Sequence, residues 1–152
     1  MSITRRSDYA CRIIRAAYRN GEDYISISEV AEEEFIPYAF ARSIQHDLVK
    51  AGMLKTTRGV NGGLTLACDA DATTLYDVVQ AVSGGMAIAE CTCPEFPCQH
   101  KETCSYNAVW RAAEALLNNL FASITLADLF EKGESHPAIQ AALALSLPEK
   151  GE

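Results

Sequence analysis

The stretch that most constrains the fold runs from Ser26 to Ala67. Ser26-Ile27-Ser28-Glu29 fits a capping box, in which Ser26 and Glu29 satisfy each other's orphan amides, so a short helix is expected to about Glu34. Pro37 suits the first position of a second helix, which continues to about Lys50 and stops at Gly52. On a helical wheel Phe40, Ala41, Ile44 and Leu48 form one stripe and are expected to face the core. Arg42, His46, Ala39 and Lys50 lie opposite, with Tyr38 and Ser43 at the margins. A hairpin follows at once: Leu54–Arg58 as a strand, residues 59–63 as a glycine-rich turn, and Leu64–Ala67 as the return. Two short helices in tight succession, the second with a basic, hydrogen-bonding outer face, make a helix-turn-helix, and the hairpin makes its wing. Candidate DNA-contacting residues are Tyr38, Arg42, Ser43, His46 and Lys50 on the second helix, and Arg58 and Asn61 on the wing. Glycines at the wing tip allow backbone to approach a phosphate closely.

The flanking segments complete a mainly α fold with a small β wing. Ala10, Ile13, Ile14, Ala17 and Tyr18 recur at helical spacing between Ser7 and Arg19. Thr74 caps a further helix with Leu75, Val78, Val79 and Val82 inward, ending at Gly84-Gly85. Residues 86–104 read as a loop. From Ser105 to Ser123 a wide apolar stripe runs through Val109, Ala112, Ala113, Leu116, Leu117, Leu120 and Phe121. So long a helix outside a small winged domain needs a cover, and a second copy of itself is the economical one. A two-fold dimer would present two reading helices to a palindromic site. The expected division is a winged helix-turn-helix domain at 1–83, a cysteine-bearing loop at 84–104, and a dimerisation helix, short helix and tail at 105–152. A weak helix is expected from Ala138 to Leu147.

Charge and cysteines are both unevenly distributed. The 152-residue chain has a net charge of −7, which by itself argues against a nucleic-acid partner. Up to Ala67, however, nine basic residues face eight acidic ones, and the acidic excess lies entirely beyond. A field acts locally, so the proposed reading head is close to neutral rather than repulsive to DNA. With 49% hydrophobic residues the chain is globular, and no apolar run approaches the roughly 18 residues of a membrane span. The opening residues are not read as a signal peptide, and a cytoplasmic protein without membrane association is expected. Reducing cytosol then favours metal or redox chemistry over structural disulfides for the six cysteines. Cys11 and Cys68 stand alone and read as small core residues.

Cys91, Cys93, Cys98 and Cys104 fall within fourteen positions. Cys93-x4-Cys98-x5-Cys104 offers three thiolates on a proline-bearing loop just before a helix, whose N-terminus favours negative ligands. Soft thiolates at short spacing select zinc, copper(I) or an iron–sulfur cluster. Cys91, His100, Asn107 and groups from elsewhere, including a partner subunit, are candidates for a fourth ligand.

The chain resembles, nearly end to end, the Rrf-type winged-helix regulators, the family of IscR- and NsrR-like proteins. The resemblance rests on Ile3-Thr4-Arg5-Arg6-Ser7-Asp8-Tyr9-Ala10, the helix pair, Leu48–Leu54, and the wing Arg58–Leu64. It continues through the cysteine triplet, the helix containing Trp110, and Ile124–Leu129. It implies a homodimeric, DNA-binding repressor whose operator affinity is tuned by an iron–sulfur cluster (4Fe–4S or 2Fe–2S) that senses nitric oxide, redox state or iron–sulfur status. IscR-like members place a histidine where this chain has Asn107, a poor cluster ligand. NsrR-like members use an aspartate from the other subunit, and Asp8 stands at the matching place. Cys91 is an alternative ligand. The competing reading is a winged-helix regulator with structural zinc or with cluster-free, redox-active thiols.

An enzyme is not expected, because no nucleophile–base arrangement, paired carboxylates or phosphate-binding glycine loop is present. The run Glu32-Glu33-Glu34 reads as a solvated helix face.

Overall fold

The computed structural model describes residues 3–60, 62–93, 95–100 and 102–145. Helix α1 (Arg5–Arg19) starts where the Thr4 hydroxyl accepts from the Ser7 amide, and it buries Ala10, Ile13, Ile14 and Ala17 completely. Each isoleucine so buried contributes about 1.5–3 kcal/mol of transfer free energy. Helix α2 (Ile27–Glu33) carries both halves of the Ser26–Glu29 capping box. The turn after it closes through Ile36 N–H to Ala31 O at 2.8 Å and leads into α3 (Tyr38–Lys50).

Three expectations for this region are corrected. Pro37 is the N-cap of α3, with an extended ψ of 129°, rather than its first helical residue. Its carbonyl accepts the first helical bond, from Ala41, a role that needs no amide hydrogen of its own. Ala41, Ile44 and Leu48 are fully buried, but Phe40 is 49% exposed. Helical rotation carries it to the stripe's edge, where its ring meets Tyr9 edge-on at 6.2 Å. Glu34 also departs from its solvated neighbours. Its carboxylate is buried and paired with Arg15, and its carbonyl accepts from Arg12 at 3.2 Å.

Strands β1 (Leu54–Thr57) and β2 (Gly63–Leu66) form an antiparallel hairpin with Leu54 opposite Leu66 and Thr56 opposite Leu64. Ile25 adds a bridge to Leu64 on the far side, with amide-to-carbonyl distances of 3.0 and 2.8 Å. This bridge explains Gly63, since a Cβ there would lie 2.4 Å from the Ile25 carbonyl oxygen. That glycine meets the chain itself.

Helix α4 (Leu75–Ser83) begins with a second capping box, Thr74–Asp77, and ends at left-handed Gly84. Its buried Val78 and Val82 join α1, α3 and the hairpin in one core, which also takes in Leu126 of α6 (Leu126–Lys132). A bridge between Thr74 and Thr125 ties the starts of α4 and α6 together. Cys11 and Cys68 are half-buried against this core, as small packing residues. A short helix α7 (Pro137–Leu143) ends the described chain. Between α4 and α6 lies α5 (Ser105–Ala122), the longest helix, whose one buried residue is Asn107. Its stripe leaves Leu116 71% and Val109 57% exposed. Among the described residues no helix is long and apolar enough to cross a membrane.

Candidate functional site

The outer face of α3 carries Tyr38, Arg42, Ser43, His46 and Lys50, all exposed as the wheel requires. Burial of Ala41, Ile44 and Leu48 against the core turns these side chains outward. The hairpin then folds back so that β1 flanks the same face. Arg42 and His46 of α3 line one concavity of about 340 Å³ together with Thr56 and Arg58 of the wing. Basic and hydrogen-bonding groups from helix and wing thus converge on one surface, a composition suited to phosphates and base edges. Gln45 lines this concavity as well and was missed in the sequence. Its position three residues after Arg42, on the same side of the helix, is the signal that could have found it. Asn61 lies outside the described residues. Ser43 has a further role, because its hydroxyl accepts from Arg6 Nη2 at 3.2 Å.

The cysteine loop is built onto the first three turns of α5. A single 3-10 turn spans Glu90–Thr92. Asn107 donates from Nδ2 to the Cys91 carbonyl at 3.0 Å and lies 3.5 Å from the Cys91 sulfur. Glu114 accepts from the Thr92 hydroxyl at 2.7 Å and from the Ile88 amide at 3.4 Å. Asn107 is therefore a structural strut that holds the backbone of Cys91 in place. Cys104 is the N-cap of α5 and makes no side-chain capping bond, so its thiol stands at the positive end of an 18-residue helix. Cys91, Cys93, Cys98 and Cys104 are all half-buried. Three thiols before a helix terminus are the right donor type for a soft metal or an iron–sulfur cluster. Among the described residues, no three His, Cys, Asp or Glu side chains are gathered as a metal site.

Asp8 sits on α1 and pairs with Arg12 at 2.7 Å. It also borders a cavity of about 630 Å³ with Cys11, Arg12, Arg15 and Arg19. Burial, and secondarily the Asp8 carboxylate, push the Cys11 thiol up to about 11, which keeps it protonated at neutral pH.

Comparison with known proteins gives this arrangement its context. Residues 3–132 match the family model Rrf2, described as an iron-dependent transcriptional regulator. The chain belongs to the Rrf2 family. Protein aau3 of Rhizobium meliloti (strain 1021) is 32% identical over 149 residues, covering 97% of this chain and 95% of that protein. Among solved structures, T. potens IscR superposes with a TM-score of 0.70 at 20% identity, covering 97% of this chain and 93% of its own. The oxidized form of Staphylococcus aureus CymR gives 0.68 at 20% identity, covering 86% and 97%. At these identities the structural likeness concerns the fold, the winged helix. This Rrf2-family chain is accordingly a DNA-binding transcriptional regulator and not an enzyme, and its exposed α3 face and wing are the natural candidates for the DNA-binding surface.

Proposed function

We propose that this Rrf2-family regulator works as a cytoplasmic homodimer that represses transcription from a palindromic operator and that an iron–sulfur cluster on its cysteine loop sets its operator affinity. The observation that carries the DNA half is the concavity shared by Arg42, His46 and Arg58. In this reading Arg42 and His46 reach base edges or phosphates from α3, Tyr38, Ser43 and Lys50 flank them, and Arg58 and Asn61 work from the wing. Dimerisation through α5 is supported by the apolar surface that Val109 and Leu116 leave open.

Cys93, Cys98 and Cys104 would hold the cluster, with the partner subunit's Asp8 as fourth ligand and Cys91 as the alternative. Asn107 holds the Cys91 carbonyl, and Asp8 is paired with Arg12 of its own subunit, so ligation by Asp8 requires that pair to open. When bound, the cluster supplies redox chemistry and reactivity toward nitric oxide. A carboxylate is a harder and more readily displaced ligand than a thiolate, so release of Asp8 would loosen one subunit's reading head from its partner's loop.

The deciding experiment is anaerobic purification with iron and sulfide analysis, followed by operator binding before and after nitric oxide. Matched iron and sulfide with nitric-oxide-sensitive binding is the expected result. A colourless protein containing zinc, or one without metal whose binding follows thiol oxidation, would replace the cluster reading. The latter alternative is favoured by the fold shared with CymR, a protein solved in an oxidized form. Within the DNA reading, Arg42→Ala is expected to weaken operator binding by about 1–3 kcal/mol and to relax sequence preference at one position. A loss that is uniform across operator sequences would reassign Arg42 to a phosphate.

A further inference from the structure

Arg6, near the start of α1, occupies a position that DNA contact and cysteine ligation leave unexplained. Its guanidinium reaches two other elements at once. Nε donates to the carbonyl of Val82, in the last turn of α4, at 3.1 Å. Nη2 donates to Ser43 Oγ at 3.2 Å and pairs with the Asp47 carboxylate, both on α3. Beside it, the hydroxyls of Ser7 and Ser83 lie 2.7 Å apart, with Thr4 Oγ1 3.4 Å from Ser83. Ser83 is the last residue of α4, and Gly84 and Gly85, with φ of 67° and 111°, lead directly into the cysteine loop. One side chain therefore bridges the root of that loop and the helix that faces DNA.

We propose that Arg6 is the positioning residue through which the state of the cysteine loop reaches α3. A shift of the loop is passed by Gly84–Gly85 to Val82 and Ser83, and the guanidinium fork transmits it to Ser43 and Asp47, altering the pitch of α3 on DNA. The fork is needed because a single planar group must serve the Val82 carbonyl and two α3 side chains together, which a lysine ammonium on its flexible stem does not do. Coupling of this kind needs an element whose arrangement both sites bias, and Arg6 joins the end of α4, at the root of the loop, to α3. The inference rests on the proposal that the loop's state governs operator affinity.

The test is a double-mutant cycle on the full chain, using a DNA duplex selected by the wild-type protein from a random pool. Affinity is measured anaerobically for wild type, for the triple variant Cys93→Ser/Cys98→Ser/Cys104→Ser, for Arg6→Lys, and for their combination. The triple substitution is expected to change wild-type affinity by about five-fold or more, and by less than about two-fold in the Arg6→Lys background. A purely structural Arg6 would instead lower the thermal midpoint and basal affinity while leaving the loop effect intact, and that result overturns the proposal. If the triple substitution leaves wild-type affinity unchanged, the loop does not regulate binding, and the underlying reading falls together with the Arg6 coupling. Asp47→Asn keeps Arg6 and its bond to Val82 but weakens the α3 end, and it is expected to reduce the loop effect in the same direction should Arg6→Lys fold poorly. An undiminished loop effect in Asp47→Asn likewise overturns the proposal.

Discussion

Phe35 is the one non-glycine residue with positive φ among those described, at 54°, and its ring is 87% exposed. An aromatic L-residue in this region is strained by roughly 1–2 kcal/mol, and so exposed a ring recovers little through packing. The surrounding turn enforces the conformation, because Arg12 holds the Glu34 carbonyl, Arg15 holds the Glu34 carboxylate, and the Ile36 amide bonds Ala31. Phe35→Gly is therefore expected to stabilise the fold by about 1 kcal/mol, seen as a higher urea midpoint with unchanged slope. Cys11 gives a residue-scale prediction in pH. Its thiol titrates near 11 in the folded chain against an ordinary value near 9, so the folded state retains a proton that the unfolded state loses. This contribution is intact below pH 9 and is lost as pH rises toward 11, by on the order of 2 kcal/mol. Urea unfolding at several pH values should show the decline, and Cys11→Ala should flatten it.

At the scale of elements, the caps were legible because capping is local chemistry. Ser26–Glu29 and Thr74 could be read as helix starts, and the structure shows a capping box at each. Ser26→Ala is expected to cost about 1 kcal/mol in unfolding free energy, measured by the same denaturant titration. The basic face of α3 was legible for a related reason, since helical period alone sorts Arg42 and His46 from Ile44 and Leu48. The position of Phe40 was not, because the width of a buried stripe depends on what packs against it. Only the approach of Tyr9 from α1 decides that Phe40 sits at the edge. Gly63 is similar. Its reason is the Ile25 carbonyl, nearly forty residues away in sequence, and a turn pattern carries no trace of such a contact. Gln45 and Arg6 escaped notice because their roles depend on neighbours from other elements.

Over the whole molecule, α5 dominates. An 18-residue helix that fully buries a single residue packs partly on α4 but leaves Val109 and Leu116 on an open apolar face. In the proposed dimer, Leu116→Glu should shift the protein to monomer in sedimentation equilibrium and weaken operator binding, while thermal unfolding of the winged domain remains cooperative. Unchanged dimer mass would move the interface elsewhere. By itself, the sequence determined what depends on neighbours along the chain: the helix starts, the outward basic face, the hairpin, the three-thiol loop and the resemblance to Rrf-type regulators. Tertiary structure alone decided that Arg42, His46 and Arg58 share one concavity, that Glu34 is a buried partner of Arg15, and that Asn107 braces Cys91. It also decided that Arg6 joins α4 to α3. The physical reason is that capping and periodicity act over three or four residues, whereas a concavity, a buried ion pair or a bridging guanidinium exists only once distant segments have packed.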